Sequence, residues 1–526
     1  MSDKLTNFKK AIEKGYTFKN SSFILGAAML EGEPVKELQV KIPLKTLNRH
    51  GLIAGATGTG KTRTMQIMAE QLASQGIPCL LMDLKGDLSG LAKPGTLNDH
   101  ISWRHEMIGT PYKPKGFTVE FLTISDEKGL SLRATVAEFG PVLFSKILGL
   151  NDTQQGVVAL IFKYADDNQW PLLDLKDIKK MLQYITNEGK KKIEAEYGRV
   201  STASTSAILR KIIELEQQGA EKFFGELSFD VEDLLRIDEQ GRGVLSIMRL
   251  RDIQGRPKLF STFMLSLLAE IYSTFPEEGD VDQPKLCIFI DEAHLIFDNA
   301  SGALIDQIEA IVKLIRSKGV GIYFVTQNPM DIPDEVLSQL GLKIQHALRA
   351  FTAKDRREIK KTAENYPLTD FYDTDELLTS LGVGEAMVTA LNEKGIPTPL
   401  AATLMRAPKT RMDILTEEEI ADVISKSTLA LEYNREIDRE SAYEILKKKL
   451  EEAATEEHLE ELKRQREAGK KAVSRKKTSG DESLIEELSK NTMVRQLGRT
   501  LMQELTRGLL GSLGIKTGRR KKSSWF

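Results

Sequence analysis

The run Gly55-Ala56-Thr57-Gly58-Thr59-Gly60-Lys61-Thr62 satisfies every position of the pattern G-x-x-x-x-G-K-[ST]. Each residue type has a reason to be there. The glycines let successive backbone N–H groups turn inward around phosphate oxygens. The helical pattern that follows adds a favourable partial positive charge at its first turn, where Arg63 joins the nucleotide contact set. Lys61 is placed to reach β- and γ-phosphates, and the Thr62 hydroxyl to ligate Mg2+. A plain glycine turn before a helix would explain the glycines. It does not explain the Lys-Thr pair, nor the apolar stretch 52–54 that leads in.

A second constellation lies where the run Leu286-Cys287-Ile288-Phe289-Ile290 ends in Asp291 and Glu292. Ligands of open α/β sheets gather at the carboxyl ends of strands. Asp291 is therefore expected to hold Mg2+, directly or through water, and Glu292 to orient and polarise an attacking water. A solvated strand end is the plainer reading of two acids after an apolar run; the phosphate loop upstream shifts the balance toward chemistry. A further strand-like run, 321–326, ends at Gln327, placed to contact a γ-phosphate or its water and to report hydrolysis to moving parts. A cap or loop contact is the alternative. Asp83 opens Asp83-Leu84-Lys85-Gly86-Asp87 with two roles open, one near the water or the metal, the other capping a turn at Gly86. His294 follows Glu292 by two residues, but the six histidines show no metal-ligand spacing.

These residues need strands that end together at one edge. HGLIAG, PCLLMDL and FTVEFLTI read as buried strands, and 62–75 has helical spacing with Met65, Met68, Ala69 and Leu72 on one side. Apolar strands alternating with amphipathic helices argue for βαβ units and a mostly parallel sheet. Residues 136–240 turn helical. Strand texture returns in RGVLSIMRL, KLCIFIDEA, GVGIYFVTQ and LKIQHALRA, and 385–403 reads as a hairpin around 392–395. The organisation expected is a short N-terminal β-rich segment over 1–45, an α/β core in two parts over 46–135 and 241–410, and a helical insertion over 136–240. A charged helical extension then covers 411–490, with a flexible stretch near 474–483. An apolar helix and a basic tail close the chain over 491–526.

The chain has 526 residues, 41% hydrophobic and 29% charged, which reads as soluble and globular. No run of 18 apolar residues or apolar signal core occurs, so a cytoplasmic protein is expected. Cys79 and Cys287 sit in apolar runs and read as reduced core residues. The net charge of −2 conceals a split: residues 491–526 hold eight Lys/Arg and one Glu, a local +7 that leaves −9 on 1–490. A general polyanion binder is excluded. The tail 514–526 has three competing readings: a solvated end, a docked helix whose tail reaches polyanion, and contact with an anionic membrane.

The order GATGTGKT, DLKGD, SLRATVAEFGPVLFSKILGLNDTQ, CIFIDEAH, RSKGVGIYFVTQNPMDIPDEVLSQ and IQHALR resembles HerA-like ATPases of the HerA–FtsK group. The resemblance covers roughly 20–410. It implies a RecA-like phosphate-loop core, ATP and Mg2+ as ligands, a homo-oligomeric ring, usually hexameric, and DNA translocation. It carries over Lys61 and Thr62 for nucleotide and metal, Asp291 for Mg2+, Glu292 as base and Gln327 as sensor. It also implies that Arg316, after the helical pattern 304–315, reaches a neighbouring subunit's nucleotide; capping of its own helix is the alternative, and Arg349 is the fallback for the role. One departure is plain: HerA proteins carry a substantial N-terminal β-barrel, and about 45 residues precede the core that bears this phosphate loop. A nucleotide-driven switch that remodels a protein or membrane-associated partner is the alternative to a DNA motor.

Overall fold

Strands form wherever the apolar runs permit, in a computed structural model that describes residues 2–279, 281–297, 302–435, 437 and 439–476. In chain order the first six are β1 (Ser22–Leu30), β2 (Glu33–Pro43), β3 (Gly51–Ala54), β4 (Cys79–Asp83), β5 (Val119–Thr123) and β6 (Leu130–Ser131). The others are β7 (Leu245–Arg249), β8 (Leu286–Ile290), β9 (Val320–Thr326), β10 (Leu342–Gln345), β11 (Glu385–Thr389) and β12 (Ala401–Met405). Among the described residues they make one sheet, ordered β2-β1-β12-β11-β10-β3-β9-β8-β4-β7-β5-β6. From β10 to β6 every neighbouring pair is parallel. From β10 out to β2 every pair is antiparallel.

Alternation along the parallel strands feeds two cores. Leu52, Ala54, Leu80 and Met82 pack on the face covered by the insertion, while Ile53, Cys79 and Leu81 pack with Met65, Met68 and Leu72 of the helix Lys61–Ser74. Cys79 and Cys287 are register partners on β4 and β8, and both are buried free thiols. The insertion supplies the helices Val136–Ile147, Asp152–Asp167, Leu175–Thr186, Lys190–Glu196 and Thr202–Gln217. Three of these begin at reciprocal caps, Thr135 with Glu138, Asn151 with Gln154 and Asp174 with Asp177, which satisfy the first free N–H groups.

Three features add to the sequence reading. A helix, Ser2–Gly15, precedes β1 and buries Phe8 and Ile12, so the first 45 residues are not strands alone. The β1–β2 hairpin joins the main sheet through β12. The helix Lys61–Ser74 is buried on all sides rather than on one stripe. Its Glu70 accepts the backbone N–H groups of Lys409 (2.8 Å) and Thr410 (2.9 Å), and Gln66 donates to the Arg411 carbonyl (3.0 Å), so the chain after β12 wraps over it.

The described residues up to 446 form one compact unit, and those of the second unit, 447–476, are helical. The apolar helix and basic tail expected over 491–526, the contact expected of 514–526 and most of the stretch near 474–483 lie outside the described residues. No helix among the described residues is long and apolar enough to cross a membrane.

The start of β3 is pinned by His50. Its Nδ1 accepts the Ile322 N–H (3.0 Å), so Nε2–H donates to the Val312 carbonyl (2.8 Å). Burial pulls this imidazole down to about 4 from 6.5. A depressed histidine contributes stability that is complete above the unfolded value and is lost as pH falls toward the folded one. His50→Leu leaves two buried backbone groups unpaired and is expected to cost about 2–4 kcal/mol at pH 7 in urea unfolding. The gap between wild type and variant should narrow as pH falls from 6.5 toward 4; a gap independent of pH would contradict this account.

Candidate nucleotide site

The phosphate loop sits between β3 and the helix Lys61–Ser74, and its shape is set by glycines at positive φ: Gly55 at 149°, Gly58 at 78° and Gly60 at 118°. A Cβ on Gly55 would lie 2.5 Å from the His346 Cβ, so no side chain fits there. Thr59 Oγ1 donates to the Ala56 carbonyl (2.7 Å), and the Ala56 N–H donates to the Ala347 carbonyl (2.8 Å). His346, just past β10, ties the loop helix to the sheet: its Nδ1–H donates to the Glu385 carbonyl (2.8 Å) and its Nε2 accepts from Thr64 Oγ1 (2.8 Å). Burial pulls His346 down to about 4, which keeps it neutral for that pairing.

Lys61 is buried and donates to the Gly55 (2.6 Å) and Ala56 (3.1 Å) carbonyls of its own loop. Burial and then the nearby Lys85 lower its pKa, while Glu292 and Asp291 act in the opposite direction. Thr62 is half-buried on the first helical turn, and Arg63 donates to Gln66 Oε1 (2.9 Å). Thr57 and Gly58 are exposed.

Two strands away, β8 delivers Asp291 and Glu292, both buried. Glu292 adopts a left-handed backbone, φ 46°, a strained conformation for a non-glycine residue and one that collects at functional sites. Asp291 Oδ2 and Glu292 Oε2 have no hydrogen-bond partner. Burial, with Glu292 adding to it and Lys85 opposing it, pushes Asp291 up to about 6. Burial also raises Glu292, but the Lys85 ammonium outweighs it, helped by His294 and Gln327, and the net direction is below the ordinary carboxylate value. Lys85 Nζ lies 2.5 Å from Glu292 Oε1 and 3.9 Å from Asp291 Oδ2, and His294 Nδ1 lies 3.3 Å from Glu292 Oε2.

The strand between loop and acids is β9. Gln327, one residue past it, has its Nε2 3.5 Å from Glu292 Oε1 and its Oε1 3.4 Å from Thr57 Oγ1, so it spans from the acids to the loop. Asp83 takes the turn-capping role: Oδ1 accepts from the Gly86 (2.7 Å) and Asp87 (3.1 Å) N–H groups and Oδ2 from that of Leu88 (3.1 Å). The sequence reading passed over Lys85, although it stands in the quoted DLKGD. It also passed over Thr64, and over His346, which stands in the quoted IQHALR.

The residues present fit Mg2+. Asp291 offers a buried oxygen with no hydrogen bond, and the Thr62 hydroxyl makes none with a described residue. Oxygen donors of this kind suit a hard divalent cation.

Arg316 lies elsewhere. It follows the helix Gly302–Ile315 and precedes β9, so it stands at the amino edge of the sheet, whereas the loop stands at the carboxyl edge. The seven residues of β9 separate the two edges by about 23 Å, beyond the reach of an arginine. Arg316 lines a cavity of about 540 Å³ with Arg49, His50, Lys313 and Lys343, and no carboxylate lines it. None of the cations Arg49, Lys313, Arg316 and Lys343 forms an ion pair with a described residue. Arg349 is exposed and donates to the Thr379 carbonyl (3.2 Å).

A strand inserted between the loop strand and the acidic strand separates this sheet from phosphate-loop folds in which those two are neighbours, and the core is RecA-like. The model of the family described as "Helicase HerA-like C-terminal" matches residues 28–521, and the chain belongs to that family. It is similar to the DNA double-strand break repair helicase HerA of Sulfolobus acidocaldarius, 22% identical over 354 residues that cover 67% of this chain and 64% of that one. The protein of the same name from Saccharolobus solfataricus is 21% identical over 357 residues, with 67% and 64% covered. The match thus spans less than two thirds of those relatives. Among solved structures, the unbound bacterial conjugative coupling protein TrwBdeltaN70 has a TM-score of 0.49 at 14% identity, with 78% of this chain and 94% of that one covered.

Gly55→Ala forces a Cβ against His346 in a backbone that L-residues avoid. It is expected to cost about 1–3 kcal/mol of stability and to abolish nucleotide binding; retention of wild-type nucleotide affinity by calorimetry would show that the loop geometry is not needed.

Proposed function

We propose that the chain is a Mg2+-dependent ATPase that works as a homo-oligomeric ring, hexameric by family resemblance, and couples hydrolysis to movement along or remodelling of DNA. The observation that carries the ATPase reading is the meeting, on three adjacent strands, of a complete phosphate loop, an acidic pair with two buried oxygens that accept no hydrogen bond, and a glutamine spanning them. Lys61 exchanges its loop carbonyls for β- and γ-phosphate oxygens. Thr62 and Asp291 would hold the metal, which when bound neutralises charge on the transferring phosphoryl group. Glu292 orients the attacking water and takes its proton, and Gln327 senses the γ-phosphate.

Arg316 acts on a second copy's nucleotide. Its distance from its own loop and the uncompensated cations around it support that assignment, because a head-to-tail ring sets one face of each copy against a different face of the next. The DNA substrate is supported by the relatives named as DNA repair helicases.

Lys61→Ala is expected to lower turnover by about 10²–10³-fold. Glu292→Gln should keep ATP binding and lose about 10²–10⁴-fold in turnover; wild-type hydrolysis by this variant would remove Glu292 from the role. Arg316→Ala should fold, bind ATP and lose about 10³–10⁵-fold. Mixing it with Lys61→Ala subunits should restore part of the activity. If Arg316→Ala loses thermal stability alone, the trans role passes to Arg349 for test. Turnover with and without double- and single-stranded DNA tests the substrate: stimulation supports the motor, and basal turnover indifferent to both favours remodelling of another partner.

A further inference from the structure

Lys85 is a cation at the acidic pair that does not belong to the phosphate loop. Its backbone is held from both sides. Asp83 commits both carboxylate oxygens to the N–H groups of Gly86, Asp87 and Leu88, and Gln254 Nε2 donates to the Leu84 carbonyl (2.6 Å). Gly86 turns at φ 76°, where a Cβ would lie 2.3 Å from the Arg251 side chain. The Lys85 side chain stays 34% exposed and reaches across from β4 to the neighbouring β8.

The carboxylate that Lys85 grips is the one read above as the base. An ammonium 2.5 Å from Oε1 occupies a lone pair and offsets the charge that an approaching water would need. Glu292 is a weak base while that contact lasts. A lysine is a flexible point charge with three donors, and a γ-phosphate brings a larger negative charge than a carboxylate. We propose that Lys85 is a positioning residue that restrains Glu292 until a γ-phosphate enters, then passes its hydrogen bond to that phosphate and frees Glu292 Oε1 for water. The proposal rests on the reading of this site as an ATPase. A nucleoside diphosphate carries no γ-oxygen and leaves the Lys85–Glu292 contact closed. A lysine that served only to cancel buried charge would not distinguish the two nucleotides.

Calorimetry of the full chain with ADP and with a non-hydrolysable ATP analogue, each with Mg2+, tests this. Lys85→Met should weaken analogue binding about tenfold and leave ADP binding nearly unchanged. Glu292→Gln removes the anion that holds Lys85 and should tighten analogue binding about tenfold, again with little effect on ADP. In Lys85→Met/Glu292→Gln that gain should vanish, a non-additivity diagnostic of direct coupling. The double variant also removes the carboxylate left without its ammonium, so the comparison with Glu292→Gln stands even where Lys85→Met alone does not fold. Equal effects on ADP and analogue, or additive effects in the double variant, overturn the role of Lys85 alone if the wild type binds and hydrolyses ATP. A wild type that binds neither nucleotide overturns the ATPase reading and this proposal together.

Discussion

Asp291 and Glu292 are buried side by side at the carboxyl edge of the sheet, each with an oxygen that no hydrogen bond satisfies. Burying one unpaired carboxylate is costly, and burying two adds repulsion. The surrounding chain answers with lysines. Lys85 comes from the turn after β4, held there by Asp83, and Lys61 comes from the loop after β3. The compensation is incomplete, since Asp291 is still pushed up to about 6. Carboxylate oxygens without hydrogen bonds beside a cation-bearing loop are the feature on which the proposed binding of a metal ion and phosphates rests.

Strand order makes the arrangement possible. β9 separates the loop strand from the acidic strand and supplies Gln327 between them, while β4 lies on the other side of β8 and supplies Lys85. The same parallel strands put the cations Arg49, Lys313, Arg316 and Lys343 at the opposite edge. The phosphate loop and the cation-lined cavity therefore lie at opposite edges of one copy, and the proposed head-to-tail ring would set such unlike faces against each other.

How much of this was readable in the sequence depended on the range of the contacts. The phosphate loop is contiguous, so its residue types announce it. Asp291 and Gln327 close apolar runs, and the strand-end rule places them. Lys85 was in view but unassigned, because its reach to Glu292 depends on β4 lying beside β8, which spacing does not encode. His346 and Thr64 escaped for the same reason, meeting only where β10 packs beside β3. Asp83 stayed ambiguous until three N–H groups were seen to converge on it. The cations of the Arg316 cavity come from three separate segments, around 49, 313–316 and 343. By contrast, the helix Ser2–Gly15 carried a readable signal in the spacing of Phe8 and Ile12, and Glu70 inside the loop helix signalled that a partner had to cover it.

The most direct measurement is a crystal structure of the chain with Mg2+ and a non-hydrolysable ATP analogue. The account predicts the phosphates in the 55–62 loop, Lys61 Nζ moved from the Gly55 and Ala56 carbonyls onto phosphate oxygens, and Asp291 Oδ2 beside the metal or one of its waters. Phosphates bound at another site, or a filled loop with Lys61 still on its own carbonyls and Asp291 remote from the metal, would contradict it.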